Sequence, residues 1–264
     1  MYISLLMKGE ILVSKERDKK RIRSLLETDR LWAGYALCDL EQEFFRLCDW
    51  YVACMNDAVV SLCLYYKGLQ PPTQITMGDP YGIEKILSSA DVLGELYAHI
   101  PLQHREVLER YYAFGELQLM KRMAVTIDTF TPVAGKATRL DEEDLRDLET
   151  LYALHSRAFF RPYMLTSGVY CGVKRHGILV SAAGTHVRSH AYSMACLGNV
   201  FTHPAHRGKG CAAICTSQVV EELLTHHHDV ILNVGSQNTP AIAIYEKLGF
   251  HEHCTYLEGL GTLV

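Results

Sequence analysis

Residues 200–250 read VFTHPAHRGKGCAAICTSQVVEELLTHHHDVILNVGSQNTPAIAIYEKLGF. An apolar strand ending at Thr202 passes through a Pro-containing turn into Arg207-Gly208-Lys209-Gly210-Cys211-Ala212. The small residues there let backbone N–H groups converge at the start of a helix, which makes an anion cradle suited to phosphates. Cys211, Cys215, Val219 and Leu223 follow at i+4 steps, so one stripe of that helix can face a sheet while Glu221 and Glu222 mark its polar side. Residues 229–234 (DVILNV) form a short, continuously apolar strand of the kind buried on both faces. Asn238-Thr239-Pro240 then opens a second helix, with Thr239 expected as N-cap and Pro240 as first helical residue, and Gly249 stands where a terminal glycine belongs.

These residues resemble the GNAT N-acetyltransferase superfamily. Its pyrophosphate signature is Gln/Arg-x-x-Gly-x-Gly/Ala, which Arg207, Gly210 and Ala212 match. Leu232-Asn233-Val234, Asn238, Ala241 and residues 244–250 (IYEKLGF) follow at the family's spacing, so the resemblance covers roughly the last half of the chain. It implies a mixed α/β (α+β) acyltransferase fold and acetyl-CoA as acyl donor. It places the pantetheine arm as an added strand beside Val200, Phe201 and Thr202, between that strand and the one through Asn233, with Asn238 alongside. Arg207, Gly208, Lys209, Gly210, Cys211 and Ala212 would hold the pyrophosphate, largely through main-chain N–H groups.

The whole chain of 264 residues suits two domains of about 130 residues each. Its apolar content of 48% and charged content of 21% are those of an ordinary globular protein. It has no apolar run of membrane-spanning length, and residues 1–21 place the apolar stretch before the basic cluster, the wrong order for a secretory signal. A cytoplasmic protein is expected. The nine cysteines, odd in number and set in apolar patterns, read as free buried thiols, and His226-His227-His228 reads as a solvated helix end rather than a metal site. Charge is segregated: residues 150–220 hold no Asp or Glu but do hold Arg157, Arg161, Lys174, Arg175, Arg188, Arg207 and Lys209. That window suits a ligand with several phosphates, whereas the net charge of −4 argues against nucleic acid. An oligomer is compatible with the sequence.

Taken in order, residues 15–27 predict a helix capped by Ser14, and residues 31–47 a looser helical pattern. Strands over 50–54 and 58–66 flank Asn56-Asp57, a hairpin signal. A strand over 73–77, a helix carrying Ile83, Ile86 and Leu87, a strand over 96–100, a helix over 103–112 and a strand over 117–126 follow. The order parallels the C-terminal half, so residues 1–125 are expected to be an α+β domain, either unrelated or a degenerate GNAT-like repeat, and residues 126–264 the GNAT domain. At the cradle's place the first half has Asp79-Pro80-Tyr81-Gly82, an acidic residue and a proline without an N–H, where no diphosphate is expected. A helix over 141–160, a hairpin over 169–186 and a strand over 192–202 lead to the cradle.

Acyl transfer to an amine needs a polarised carbonyl, a proton for the departing thiolate and removal of the amine proton. The resemblance puts Tyr245 at the position whose hydroxyl lies near the cofactor sulfur, although Ala241, Ile244, Tyr245 and Leu248 also form one packing stripe. The family often carries a glutamate on the strand before the cradle, and here that position is approximately Cys196. His186 or His190, a water chain, or an acceptor that arrives neutral could take the proton instead. Either an N-acetyltransferase acting on an unknown amine or a non-catalytic acyl-CoA-binding or sensing module fits these residues, and no metal is expected in either.

Overall fold

The computed structural model describes residues 10–155 and 159–264, so Arg157 and the first nine residues lie outside it. The chain forms two compact units: described residues up to Leu119 together with Thr255–Val264, and Met120–Cys254. The division differs from the boundary expected after residue 125. The strand before it belongs with the second unit from Met120 onward, and the last strand ends in the first.

In the first unit, β1 (Ile11–Lys15), α1 (Lys19–Leu26), α2 (Gly34–Cys38) and α3 (Gln42–Phe45) precede β2 (Cys48–Met55), β3 (Ala58–Tyr66), β4 (Thr73–Gly78), α4 (Pro80–Ser89) and β5 (Glu95–Pro101). Asp18, not Ser14, caps the first helix, because its carboxylate accepts from Lys20 N–H while Ser14 sits in β1 paired with Val52. The hairpin at Asn56-Asp57 forms as its residues predict, with φ of 49° and 64° at the two turn positions. The expected helix over 103–112 shrinks to a 3₁₀ turn and α5 (Arg105–Leu108), since Tyr112 is drawn into β6 (Tyr112–Phe114) by pairing with Leu263. The sheet runs β1-β2-β3-β4-β5 and continues to the C-terminal part of the final strand, with β4 and β5 parallel around α4.

The second unit begins within β7 (Gln118–Val125) and contains β8 (Thr138–Arg139), α6 (Leu145–Tyr152), α7 (Pro162–Ser167), β9 (Tyr170–Arg175) and β10 (Ile178–Ser189). It continues with β11 (Met194–Thr202), α8 (Cys211–Leu224), β12 (Asp229–Gly235) and α9 (Thr239–Lys247), and the chain ends in β13 (His251–Leu263). The expected helix over 141–160 ends at Tyr152; part of the remainder lies outside the described residues. The sheet order is β7-β12-β11-β10-β9-β8, with β11 and β12 parallel and their other neighbours antiparallel.

Alternation along the strands divides the core of the second unit. Val230, Leu232 and Val234 pack with Cys215, Val219 and Leu223 of α8 and with Ile242 and Tyr245 of α9. Leu148, Leu151 and Tyr152 of α6 and Met164 of α7 cover the opposite face near Leu179 and Phe201. The stripe read at i+4 spacing in α8 is therefore its buried face.

Hairpin, strand, helix and parallel strand occur in the same order in both units, β2 to β5 in one and β9 to β12 in the other. None of the nine cysteines forms a disulfide among the described residues, and eight are buried. No helix among the described residues is long and apolar enough to cross a membrane.

Candidate functional site

The cradle is built by backbone conformation. Gly208 and Gly210 have φ of 73° and 75°, which side chains rarely adopt, and a Cβ at either would project into open space. Gly210 is the N-cap of α8 and has no side chain with which to satisfy the helix's first N–H groups. Those of Cys211, Ala212 and Ala213 find no acceptor among the described residues, and the first helical bond runs from Ile214 N–H to Gly210 O. Arg207 is exposed, donates from Nε to Thr202 O at 3.2 Å and lies over the Phe201 ring; Lys209 donates to Ala205 O at 3.2 Å. Incomplete hydration and, after it, the nearby charges of Lys209, His203 and Arg175 hold His206 below the ordinary histidine pKa. These groups fit a diphosphate.

Beside the cradle the two parallel strands part. Pairing of β11 with β12 runs from Met194↔Asp229 to Leu197↔Leu232 and stops. On its other edge β11 continues, with Phe201 opposite Ala182 and Thr202 opposite Ser181, but with an extra residue taken up between Gly198 and Phe201. Asn199, at φ 52°, is the kinked residue of this bulge. Three side-chain contacts surround it: Tyr152 Oη donates to Asn199 O at 2.6 Å, Asn199 Nδ2 donates to Tyr170 Oη at 2.8 Å, and Tyr170 Oη donates to Thr185 O at 3.0 Å. Val200, Phe201 and Thr202 thus leave their β12-side edge without a strand.

The first unit fills the corresponding places with its own side chains. Asp79 caps α4 by accepting from Tyr81 and Gly82 N–H. Pairing of β4 with β5 ends at Ile75↔His99, and beyond it His104 bridges Thr76 Oγ1 at 2.8 Å and Gly78 O at 2.9 Å. A carbonyl can only accept, so His104 Nε2 carries the proton and Nδ1 accepts from the Thr76 hydroxyl. Burial keeps this imidazole below the usual histidine range. Trp32 Nε1 donates to Thr76 O at 3.0 Å.

The fold has known counterparts. Residues 171–257 match the family model described as FR47-like protein. A GNAT-family protein from Novosphingobium aromaticivorans is 20% identical with a TM-score of 0.55, covering 72% of this chain and 84% of that one. A Drosophila protein, 9% identical, superposes at a TM-score of 0.72 over 96% of this chain and 99% of its own. A tandem GNAT protein from the clavulanic acid biosynthesis pathway is 14% identical, covering 95% of this chain and 98% of that one at a TM-score of 0.56. The chain has the GNAT fold. No match is found among curated proteins.

Within this GNAT fold the remaining candidates occupy distinct places. Tyr245 of α9 is buried among Ile242, Leu248 and Phe250, whose ring centroid lies 5.8 Å away, and burial pushes its phenol well above the ordinary tyrosine range. It is therefore protonated at neutral pH. Asn238 caps α9 by accepting from Ala241 N–H at 3.4 Å, so the cap falls one residue earlier than the Thr239 expected. Asn233 is the first residue of β12 beyond its pairing with β11; its Oδ1 accepts from Nε of the buried Arg122, on β7, at 2.7 Å.

Of the two candidate histidines, only His186 lies by the bulge. It is the extra residue of β10 between Thr185 and Val187, and a Cβ on Gly198 would come within 2.3 Å of its Nε2. Phe159 packs edge-on against its ring at 5.7 Å. His190 follows Ser189, which pairs with Met194 at the far end of β11, about 16 Å of strand from Asn199. Its ring packs instead at a tilt against His227, 4.7 Å between centroids, so the β10–β11 turn carries it away from the cradle. His227, expected to be solvated with its neighbours, turns inward and its Nδ1 lies 2.9 Å from Leu223 O. Cys196 is fully buried at the position approximating the family's glutamate. Among the described residues no group of three His, Cys, Asp or Glu side chains could hold a metal.

Arg122 and the tyrosines around Asn199 were not among the sequence candidates. Arg122 lies in an ordinary strand pattern whose partner is 111 residues away. Tyr152 and Tyr170 carry no local signal beyond being apolar.

Proposed function

We propose that the second unit binds an acyl-CoA, most simply acetyl-CoA, and transfers its acyl group to an amine by direct attack. The observation that carries this reading is the parting of β11 from β12 beside a helix whose first N–H groups have no acceptor among the described residues. Residues 207–212 would hold the diphosphate, and the open edge of Val200, Phe201 and Thr202 would take the pantetheine amides as an added strand. The thioester, when bound, supplies the activated acyl group. Tyr245, neutral and enclosed in the α9 core, is the proton donor to the departing sulfur. His186, beside the bulge, accepts the amine proton directly or through water.

A second reading, an acyl-CoA-binding module without catalysis, is favoured by Cys196, since a buried thiol cannot stand in for an ionised carboxylate. Thioester consumption with a panel of amines separates the two. Transfer predicts release of free thiol with at least one amine. It also predicts that Tyr245→Phe retains acetyl-CoA affinity within about twofold while kcat falls tenfold or more, as for an interaction made in the transition state. Tight acetyl-CoA binding with no turnover for any amine would favour the binding module.

A further inference from the structure

Asn233 sits at the lip of the gap between β11 and β12, one residue past the last paired position, Leu232. Val230, Leu232 and Val234 face α8 and α9, so alternation turns Asn233 to the opposite face of the sheet. Directly across on β7 is Arg122, its Cα partner, 1% exposed. A guanidinium has donors and no acceptor, so the Asn233 atom 2.7 Å from Arg122 Nε must be the carbonyl oxygen. This removes the usual ambiguity between the two ends of an asparagine amide. With Oδ1 held on the β7 side, the NH2 group is left to donate elsewhere, and it has no acceptor among the described residues.

Resting on the acyl-CoA reading above, the geometry points to Asn233 Nδ2–H as a hydrogen-bond donor to the acyl carbonyl of the bound thioester. Arg122 is the positioning residue that sets the amide's orientation. A donor held in place before the reaction stabilises charge as it develops on the carbonyl oxygen, without reorganisation at that moment. Charge-assisted contact with Arg122 further polarises the amide, making Nδ2–H a better donor. Arg122 itself never touches the substrate.

Asn233→Asp tests this, because a carboxylate keeps the acceptor facing Arg122 and removes the donor, while the negative charge it adds pairs with the guanidinium. Full-length wild type, Asn233→Asp and Arg122→Lys would be loaded with acetyl-CoA labelled at the carbonyl carbon and compared by isotope-edited infrared spectroscopy, with thermal melting to verify folding. The carbonyl band is expected at higher frequency in Asn233→Asp than in wild type. The expected fall in kcat is at least tenfold, with KM for acetyl-CoA within threefold and affinity for free CoA unchanged. Arg122→Lys, which keeps the charge but loses the aligned Nε–H, should give an intermediate band.

An unmoved band and normal kcat in Asn233→Asp would overturn the assignment while leaving the acyltransferase reading intact. Equal loss of affinity for CoA and acetyl-CoA would place Asn233 on the pantetheine arm and also overturn it. Failure of wild type to bind acetyl-CoA at all would sink both.

Discussion

Gly210 shows how much of the site depends on one missing side chain. Its φ of 75° is strained for any L-residue, and the space before it is open, so a larger residue there fits the free protein sterically at a conformational cost of about 1–2 kcal/mol. The same atoms would stand where the cradle must admit a ligand. Gly210→Val should lower CoA affinity at least tenfold, about 1.4 kcal/mol, while the fold survives. Calorimetry on the folded variant checks this; unchanged affinity would remove the cradle from the binding site. Gly198 makes the opposite use of small size, since its missing Cβ admits the His186 ring.

Among elements, α4 and α8 make the sharpest contrast. Both follow a central strand and start a crossover to its parallel neighbour, yet Asp79 occupies the first N–H groups of α4 and Gly210 leaves those of α8 open. His104 and Trp32 also occupy groups on β4 where it leaves β5. Titration with CoA should therefore saturate at one per chain, and a second equivalent binding with comparable affinity would contradict this account. The two helices were legible in the sequence because capping and glycine chemistry act within a few residues. The hairpin at Asn56-Asp57 was readable for the same reason. Elements set by distant partners were not: β6 forms because Tyr112 pairs with Leu263, and the bulge is held by Tyr152 and Tyr170. In β13, Gly259 and Gly261 blur the strand pattern. They are small because a Cβ there would strike Leu117 and Phe114, neighbours that local periodicity cannot reveal.

At the scale of the whole molecule, one carboxylate ties β13 to β5, about 160 residues earlier in the chain. Glu258, on β13, lies 3.1 Å from His99 Nδ1 on β5, off the line of an N–H bond, and accepts from the hydroxyls of Tyr256 and Tyr97. Burial alone would push its pKa up. The His99 charge and these hydrogen bonds outweigh burial and hold it at about 2. A carboxyl whose folded pKa is depressed contributes stability above its unfolded value, and that contribution is lost as pH falls through about 2. Glu258→Gln should lower stability at pH 6 by on the order of 3 kcal/mol and shrink the difference from wild type towards pH 2. Denaturant melts across that range would show it, and a pH-independent difference would mean that packing, not charge, holds the strand.

The route of the chain also sets a clock. The first unit is made first, but Thr255–Val264 belongs to it and pairs with β5. A nascent chain on the ribosome therefore holds β5 as a bare strand edge until Thr255–Val264 is synthesised, roughly 7–30 s after Leu119 at ordinary elongation rates. The polypeptide that carries the cradle is synthesised inside that interval, so chaperone demand should persist through it and fall once Thr255–Val264 has emerged and paired with β5.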